Sequence, residues 1–164
     1  MTRSLEDRTG LSTADVKFLG DIQTYGWHVT GVFPSDNKTG PYWAFSIGLF
    51  HTFHHPEVIV FHPKLNSCIG LVNEIGQQVK SGIRYEITGT YPDILNDPYE
   101  CAFRSMERCH YRDYLGSALW FYEEDPFPTL QCFWPDKARK FPWDDGCNSS
   151  VKDSQPLLFA PTVK

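Results

Sequence analysis

Two spacings of apolar residues alternate along this chain. Between Ser12 and Gly26, Phe18, Leu19, Ile22 and Tyr25 recur at intervals of three and four, which predicts a helix with one apolar stripe. Ser12 is an N-cap residue type, Asp15 three positions on supplies a short-armed capping box, and Gly26 suits the left-handed position that ends a helix. Residues 66–80 carry Ile69, Val72, Ile75 and Val79 at the same period, the strongest helical signal in the chain, and Gly82 ends it. Tyr114, Leu115, Ala118 and Phe121 predict a third helix over residues 111–122.

The segments between are rich in aromatic and β-branched residues. Strands are predicted over residues 27–33, 42–49, 58–61, 84–88, 99–106 and 129–134. The run from Pro34 to Pro41 is dense in turn formers and closes a hairpin-like connection. Strands and helices follow no regular βαβ rhythm. The expected fold class is therefore α+β, a single domain with a mixed or mainly antiparallel sheet of about five to six strands packed with about three helices. Residues 1–10 read as a flexible polar arm, 11–146 as the domain, and 147–164 as a tail. Within that tail Pro156, Leu157, Leu158 and Phe159 are apolar enough to fold back onto the body.

Composition narrows the function classes. A hydrophobic fraction of 41% and an aromatic fraction of 15% supply ample material for a core in 164 residues. The net charge is −5, with the charges interspersed and no basic stripe, which argues against nucleic acid as a partner. A mildly acidic surface suits a partner with a basic face. The first ten residues lack the apolar core of a signal peptide, and no stretch is long and apolar enough for a membrane span, so a cytoplasmic protein is expected. The five cysteines, Cys68, Cys101, Cys109, Cys132 and Cys147, are odd in number and include no C-x-x-C pair. They predict a reducing compartment and thiols used mainly as small apolar residues.

Two clusters could carry chemistry. In Ser46–Glu57, three histidines (His51, His54, His55) and Glu57 fall within seven residues, compatible with a divalent metal site or an acid–base pair. Pro56 biases His55 away from helical angles, so a loop is expected there, and its histidines could equally cap backbone groups. The second cluster joins Gln131 and Trp134-Pro135-Asp136 to Pro142-Trp143-Asp144. Trp134, Asp136, Trp143 and Asp144 could form a binding edge, or a packed corner in which the carboxylates cap turns. Cys109-His110 looks like a nucleophile–base pair, but adjacent side chains on a regular element diverge. Ser46 has Ala44 where a G-x-S-x-G elbow needs its first glycine. A phosphate loop, a dinucleotide fingerprint and an H-E-x-x-H motif are all missing from the chain.

Taken in order, Gly26-Trp27, Phe45-Ser46-Ile47-Gly48-Leu49, His55-Pro56-Glu57, Gln131, Trp134-Pro135-Asp136 and Pro142-Trp143-Asp144 resemble the signature of a bacterial family, domain of unknown function 4262. The resemblance spans residues 15–146 and implies a cytosolic bacterial protein; it assigns no catalytic residue. One departure is local. The family tends to carry glycine between the Asp and the Pro-Trp unit, where this chain has Lys137-Ala138-Arg139-Lys140-Phe141.

Two functions follow as expectations. The first is a small protein-binding domain, of the toxin-immunity type, with a basic protein as partner and no cofactor. The second is a small metal-dependent or acid–base enzyme. It would use His55, Glu57 and Asp136 for catalysis, with His51, His54 and His55 as ligands of a divalent metal.

Overall fold

The computed structural model describes residues 2–6, 10–34, 40–123 and 125–161. Its helices are α1 (Thr13–Tyr25), α2 (Leu49–Phe53), α3 (Leu65–Lys80), α4 (Tyr111–Tyr114), α5 (Gly116–Tyr122) and α6 (Ser149–Ser154), with a 3-10 turn at Arg108–His110. Its strands are β1 (His28–Val32), β2 (Tyr42–Ile47), β3 (Glu57–His62), β4 (Ala102–Ser105) and β5 (Thr129–Phe133). They form one mixed sheet in the order β1-β2-β3-β5-β4, in which the β3–β5 pair is parallel and the other pairs are antiparallel. This is the expected α+β domain, with more helices than the apolar period announces.

The central strand explains the layering. β3 is covered on both faces, so Val58, Ile59 and Val60 have no exposed surface. Side chains alternate across a strand. Ile59 and Phe61 join Phe18 and Ile22 of α1, Phe121 of α5 and Leu115, which precedes α5, in one core. Val58 and Val60 join Val72, Ile75 and Val79 of α3 in the other. Glu57 shares the parity of Ile59 and Phe61, and so points a carboxylate into the α5 side.

Sequence signals at the helix ends act as expected. The Ser12 hydroxyl accepts from the Asp15 N–H at 3.1 Å, the Asp15 carboxylate accepts from the Ser12 N–H at 2.9 Å, and Gly26 takes φ 101° at the C-cap. Gly76 in α3 has a different purpose. A Cβ there would sit 2.6 Å from the Trp27 ring, so only glycine lets the indole lie against the helix.

Several local expectations are corrected. The strand predicted over 84–88 does not form. Its backbone is satisfied by side chains instead: the Tyr85 N–H donates to His55 Nε2 at 3.0 Å and the Glu86 N–H to the Tyr91 hydroxyl at 2.9 Å. The strand predicted to reach Leu49 stops at Ile47, because Gly48 turns to φ 109° and starts α2. The helix predicted over 111–122 breaks at Leu115 (φ −120°, ψ 35°) into α4 and α5. The loop expected around His51 is partly the helix α2, too short for a periodic signal to register.

Both ends of the described chain pack on the body. Arg3 donates from its backbone to the Phe121 carbonyl and from its guanidinium to the Trp120 carbonyl. Beyond residue 146, Leu158 is buried and Gln155 is 1% exposed. The Gln155 amide accepts from the Trp134 N–H (3.0 Å) and donates to its carbonyl (2.9 Å), imitating a strand neighbour. Gln131 likewise donates to the Pro156 carbonyl and accepts from the Leu158 N–H. Residues 35–39 of the turn-forming run, residues 1 and 7–9 of the arm, and residues 162–164 of the tail lie outside the described residues.

Candidate functional site

Glu57 accepts five hydrogen bonds, more than any other buried side chain among the described residues. It is fully buried, and no cation pairs with it among the described residues. Its Oε1 accepts from the Gly48 N–H (2.7 Å), the Phe50 N–H (3.3 Å) and the Tyr122 hydroxyl, and its Oε2 from the Leu49 N–H (3.3 Å) and the Ser46 hydroxyl. The two hydroxyls are themselves oriented, because Ser46 Oγ accepts from the Val58 N–H and the Tyr122 oxygen from the His51 N–H. Burial raises the Glu57 pKa above the ordinary carboxylate value, and the donors from Ser46, Tyr122, Gly48 and Phe50 pull against that rise. Burial and the neighbouring carboxylate push the Tyr122 phenol far up, which keeps it a donor.

The same contacts define α2. Glu57 collects the free N–H groups at the helix start, and Arg84 donates to the Phe53 and His54 carbonyls at its end. An anion at the N-terminus and a cation at the C-terminus is the favourable arrangement for a helix dipole, and it lets five residues hold helical form.

The three histidines do not share a site. His51 and His54 are exposed, with His51 facing a cavity of about 460 Å³ beside Leu19, Ile22 and Phe121. His54 closes α2 in the left-handed conformation (φ 56°). His55 is fully buried. Its Nδ1 donates to the Pro56 carbonyl (2.7 Å), and its Nε2 accepts from the Tyr85 N–H (3.0 Å), which fixes the neutral tautomer. Burial lowers the His55 pKa, opposed by the Pro56 bond. The unfolded chain therefore binds the extra proton below the ordinary histidine value of 6.5, and stability falls as pH drops through that value toward the folded pKa. Urea unfolding midpoints should fall between about pH 7.5 and about pH 5.5, with a slope of at most about 1.4 kcal/mol per pH unit from this group, and His55→Gln should flatten that part of the curve.

The aromatic corner uses its carboxylates internally. Asp136 Oδ1 accepts from the Ala138 and Lys140 N–H groups and Oδ2 from the Asn148 N–H, each at 2.9 Å. These bonds, led by that from Lys140, hold its pKa below the ordinary value. Asp144 accepts from the Phe141 N–H at 2.8 Å. Trp143 stacks on Phe141 (centroids 5.1 Å apart, 8° between planes) and carries the Arg104 guanidinium on its ring at 4.3 Å. Arg139 adopts φ 64°, a conformation glycine takes freely. It stands within the segment where the sequence departs from its resemblance.

Trp134 has a different setting. Its indole N–H donates to the Phe61 carbonyl at 2.7 Å, and its ring lies 4.9 Å from that of His62. It lines a groove of about 400 Å³ with His62, Leu71, Leu95 and Tyr99, and Asp136 and Lys137 stand on the same wall. The segment 85–103 that supplies Leu95 and Tyr99 carries Glu86, Asp93, Asp97 and Glu100 and no lysine or arginine. Those four carboxylates form no ion pair among the described residues.

Compared with known families, residues 21–148 match the family described as Domain of unknown function (DUF4262), more than three quarters of the chain. The chain belongs to the DUF4262 family. No curated protein and no solved structure matches it. In this DUF4262 domain the residues that carry the resemblance meet at a few junctions. A Cβ on Gly48 would sit 2.7 Å from the Gly26 carbonyl oxygen, so the first two motifs touch. Ser46, Gly48, Leu49 and Glu57 form one network, and Gln131 and Trp134 both bind the returning tail. Sequence reasoning missed Tyr122, 65 residues from its carboxylate partner, and Tyr85, 30 from His55. No local pattern announces such pairs. Among the described residues, no helix is long and apolar enough to cross a membrane.

Proposed function

We propose that this DUF4262 protein is a protein-binding domain of the kind an immunity protein represents, and that the Trp134 groove is its contact face. The observation that carries the reading is an apolar groove, with Asp136 and Lys137 on its wall, lined in part by the segment 85–103, whose charged residues are all acidic. Leu71, Leu95, Tyr99 and Trp134 offer aromatic and aliphatic anchors of the type that dominate interface energy. Asp97 and Glu100, next in sequence to the lining residues Asn96 and Tyr99, would steer a partner of opposite sign. The partner is accordingly a basic protein that presents an apolar side chain. The histidine cluster lends an enzyme reading no comparable support, because His51, His54 and His55 share no site and the polar atoms of His55 and Glu57 are occupied. We place the protein in the bacterial cytoplasm, in keeping with free thiols at all five cysteines.

Photo-crosslinking in the source cells tests this. A photoreactive residue at Leu95 or Tyr99 should trap one discrete basic protein. The same residue at Lys152, on α6, should trap none. Asp97→Lys with Glu100→Lys should cut the yield about tenfold, the equivalent of ~1.4 kcal/mol. Equal trapping from Lys152, or a yield indifferent to the charge reversal, would sink the proposal.

A further inference from the structure

The turn between β4 and α4 brings together three different metal-ligating groups. A carboxylate oxygen of Glu107, the thiol sulfur of Cys109 and a ring nitrogen of His110 all lie within 4.8 Å of one another, the one such group of three among the described residues. The geometry follows from the 3-10 conformation of Arg108–His110, in which side chains three apart eclipse. The His110 N–H closes that turn on the Glu107 carbonyl at 3.2 Å, and His110 Nε2 stands 4.0 Å from the Glu107 carboxylate. Cys109 joins them from between. Adjacent Cys and His side chains diverge on a regular element, and this tight turn is what lets them converge.

We propose that Glu107, Cys109 and His110 bind a divalent ion of the zinc type, with solvent completing the coordination. The donor set decides the class of ion. One thiolate and one imidazole suit zinc and cobalt, whereas magnesium and calcium call for oxygen alone. In a tetrahedral zinc site the ligand atoms lie about 2.0–2.3 Å from the ion, hence roughly 3.5 Å apart. The three groups close that gap by side-chain rotation alone, since the side chains of Glu107 and His110 are 43% and 32% exposed and Cys109 is exposed. On binding, the Cys109 thiol passes its proton to the buffer and the sulfur takes the bond to the metal. The Glu107 N–H also donates to the Leu158 carbonyl at 2.8 Å, so an ion here would clamp the turn that holds the returning tail. The inference is independent of the contact face proposed above.

Cobalt(II) titration of the full chain, purified without a tag, tests it. Cys68, Cys101, Cys132 and Cys147 are buried, so a thiolate-to-cobalt charge-transfer band reports Cys109. The band should saturate at one ion per chain and disappear when zinc displaces the cobalt. Cys109→Ser should abolish it, and Glu107→Gln and His110→Ala should each weaken binding by about tenfold or more. His54→Ala, at an exposed histidine elsewhere, should leave it unchanged. The proposal is overturned by a wild-type chain that gives no band, by a band that survives Cys109→Ser or needs His54, or by half an ion per chain, which would mean two copies sharing one metal.

Discussion

Replacing Glu57 with alanine is expected to lower the stability of the DUF4262 domain by about 3–5 kcal/mol, the largest effect of any single side chain in the buried network. Truncation strands five donors at once: the N–H groups of Gly48, Leu49 and Phe50 and the hydroxyls of Ser46 and Tyr122. Each buried donor left without an acceptor costs about 1–3 kcal/mol, reduced where water or a rotating hydroxyl finds a substitute. The two hydroxyls can turn, but the three backbone donors cannot. Glu57→Gln should fall between the parent and the alanine variant. Its carbonyl keeps one set of acceptor contacts while its amide nitrogen meets N–H groups on the other side, at Gly48 and Phe50 or at Leu49. Urea denaturation of the three proteins checks the order, with an unchanged m-value showing that the same fold is being unfolded. An alanine variant as stable as the parent would mean that the carboxylate is held at a cost, as functional carboxylates are, and would return Glu57 to the list of catalytic candidates.

Gly48→Ala should cost about 3 kcal/mol or more, while Gly82→Ala, at the same backbone angle, should cost only about 1–2 kcal/mol. Both glycines sit at φ 109°, a value L side chains rarely adopt, so each substitution carries a conformational penalty. They differ in surroundings. A Cβ at Gly48 would lie 2.7 Å from the Gly26 carbonyl oxygen and 3.2 Å from the Trp27 Cα, backbone atoms that cannot swing aside. At Gly82 nothing lies within 4 Å. Any shift at residue 48 also pulls an N–H away from Glu57. Thermal and urea unfolding of the matched pair separates the two contributions, and equal losses would show that the close approach of the chain at Gly26 carries no energy of its own.

These expectations concern the residues that carry the family resemblance. Gly26 and Gly48 permit two chain segments to touch, Ser46 and Glu57 organise the start of α2, and Gln131 ties the tail to the edge of the central strands. Asp136 and Asp144, carboxylates that could have served a ligand, instead accept backbone N–H groups and hold the shape of the corner. The contact face proposed above therefore draws on Trp134 and not on these carboxylates.

What the sequence by itself determined is the set of elements governed by near neighbours. Helix α1 with its capping box, helix α3 with its apolar stripe and the centres of the five strands all depend on residues within one or two turns of each other. Tertiary structure alone decided the rest. Residues 84–88 have the composition of a strand, but His55 and Tyr91 satisfy their N–H groups first. The tautomer of His55 depends on Tyr85, 30 residues away, so the spacing of the histidines could not tell a metal site from a buried neutral ring. Cys109 and His110 seemed to diverge until a 3-10 turn, too short to leave a periodic trace, folded Glu107 back beside them. The physical reason is the same throughout: apolar periodicity records which face of an element is buried, whereas the pairing of polar groups depends on which distant donor arrives within 3 Å.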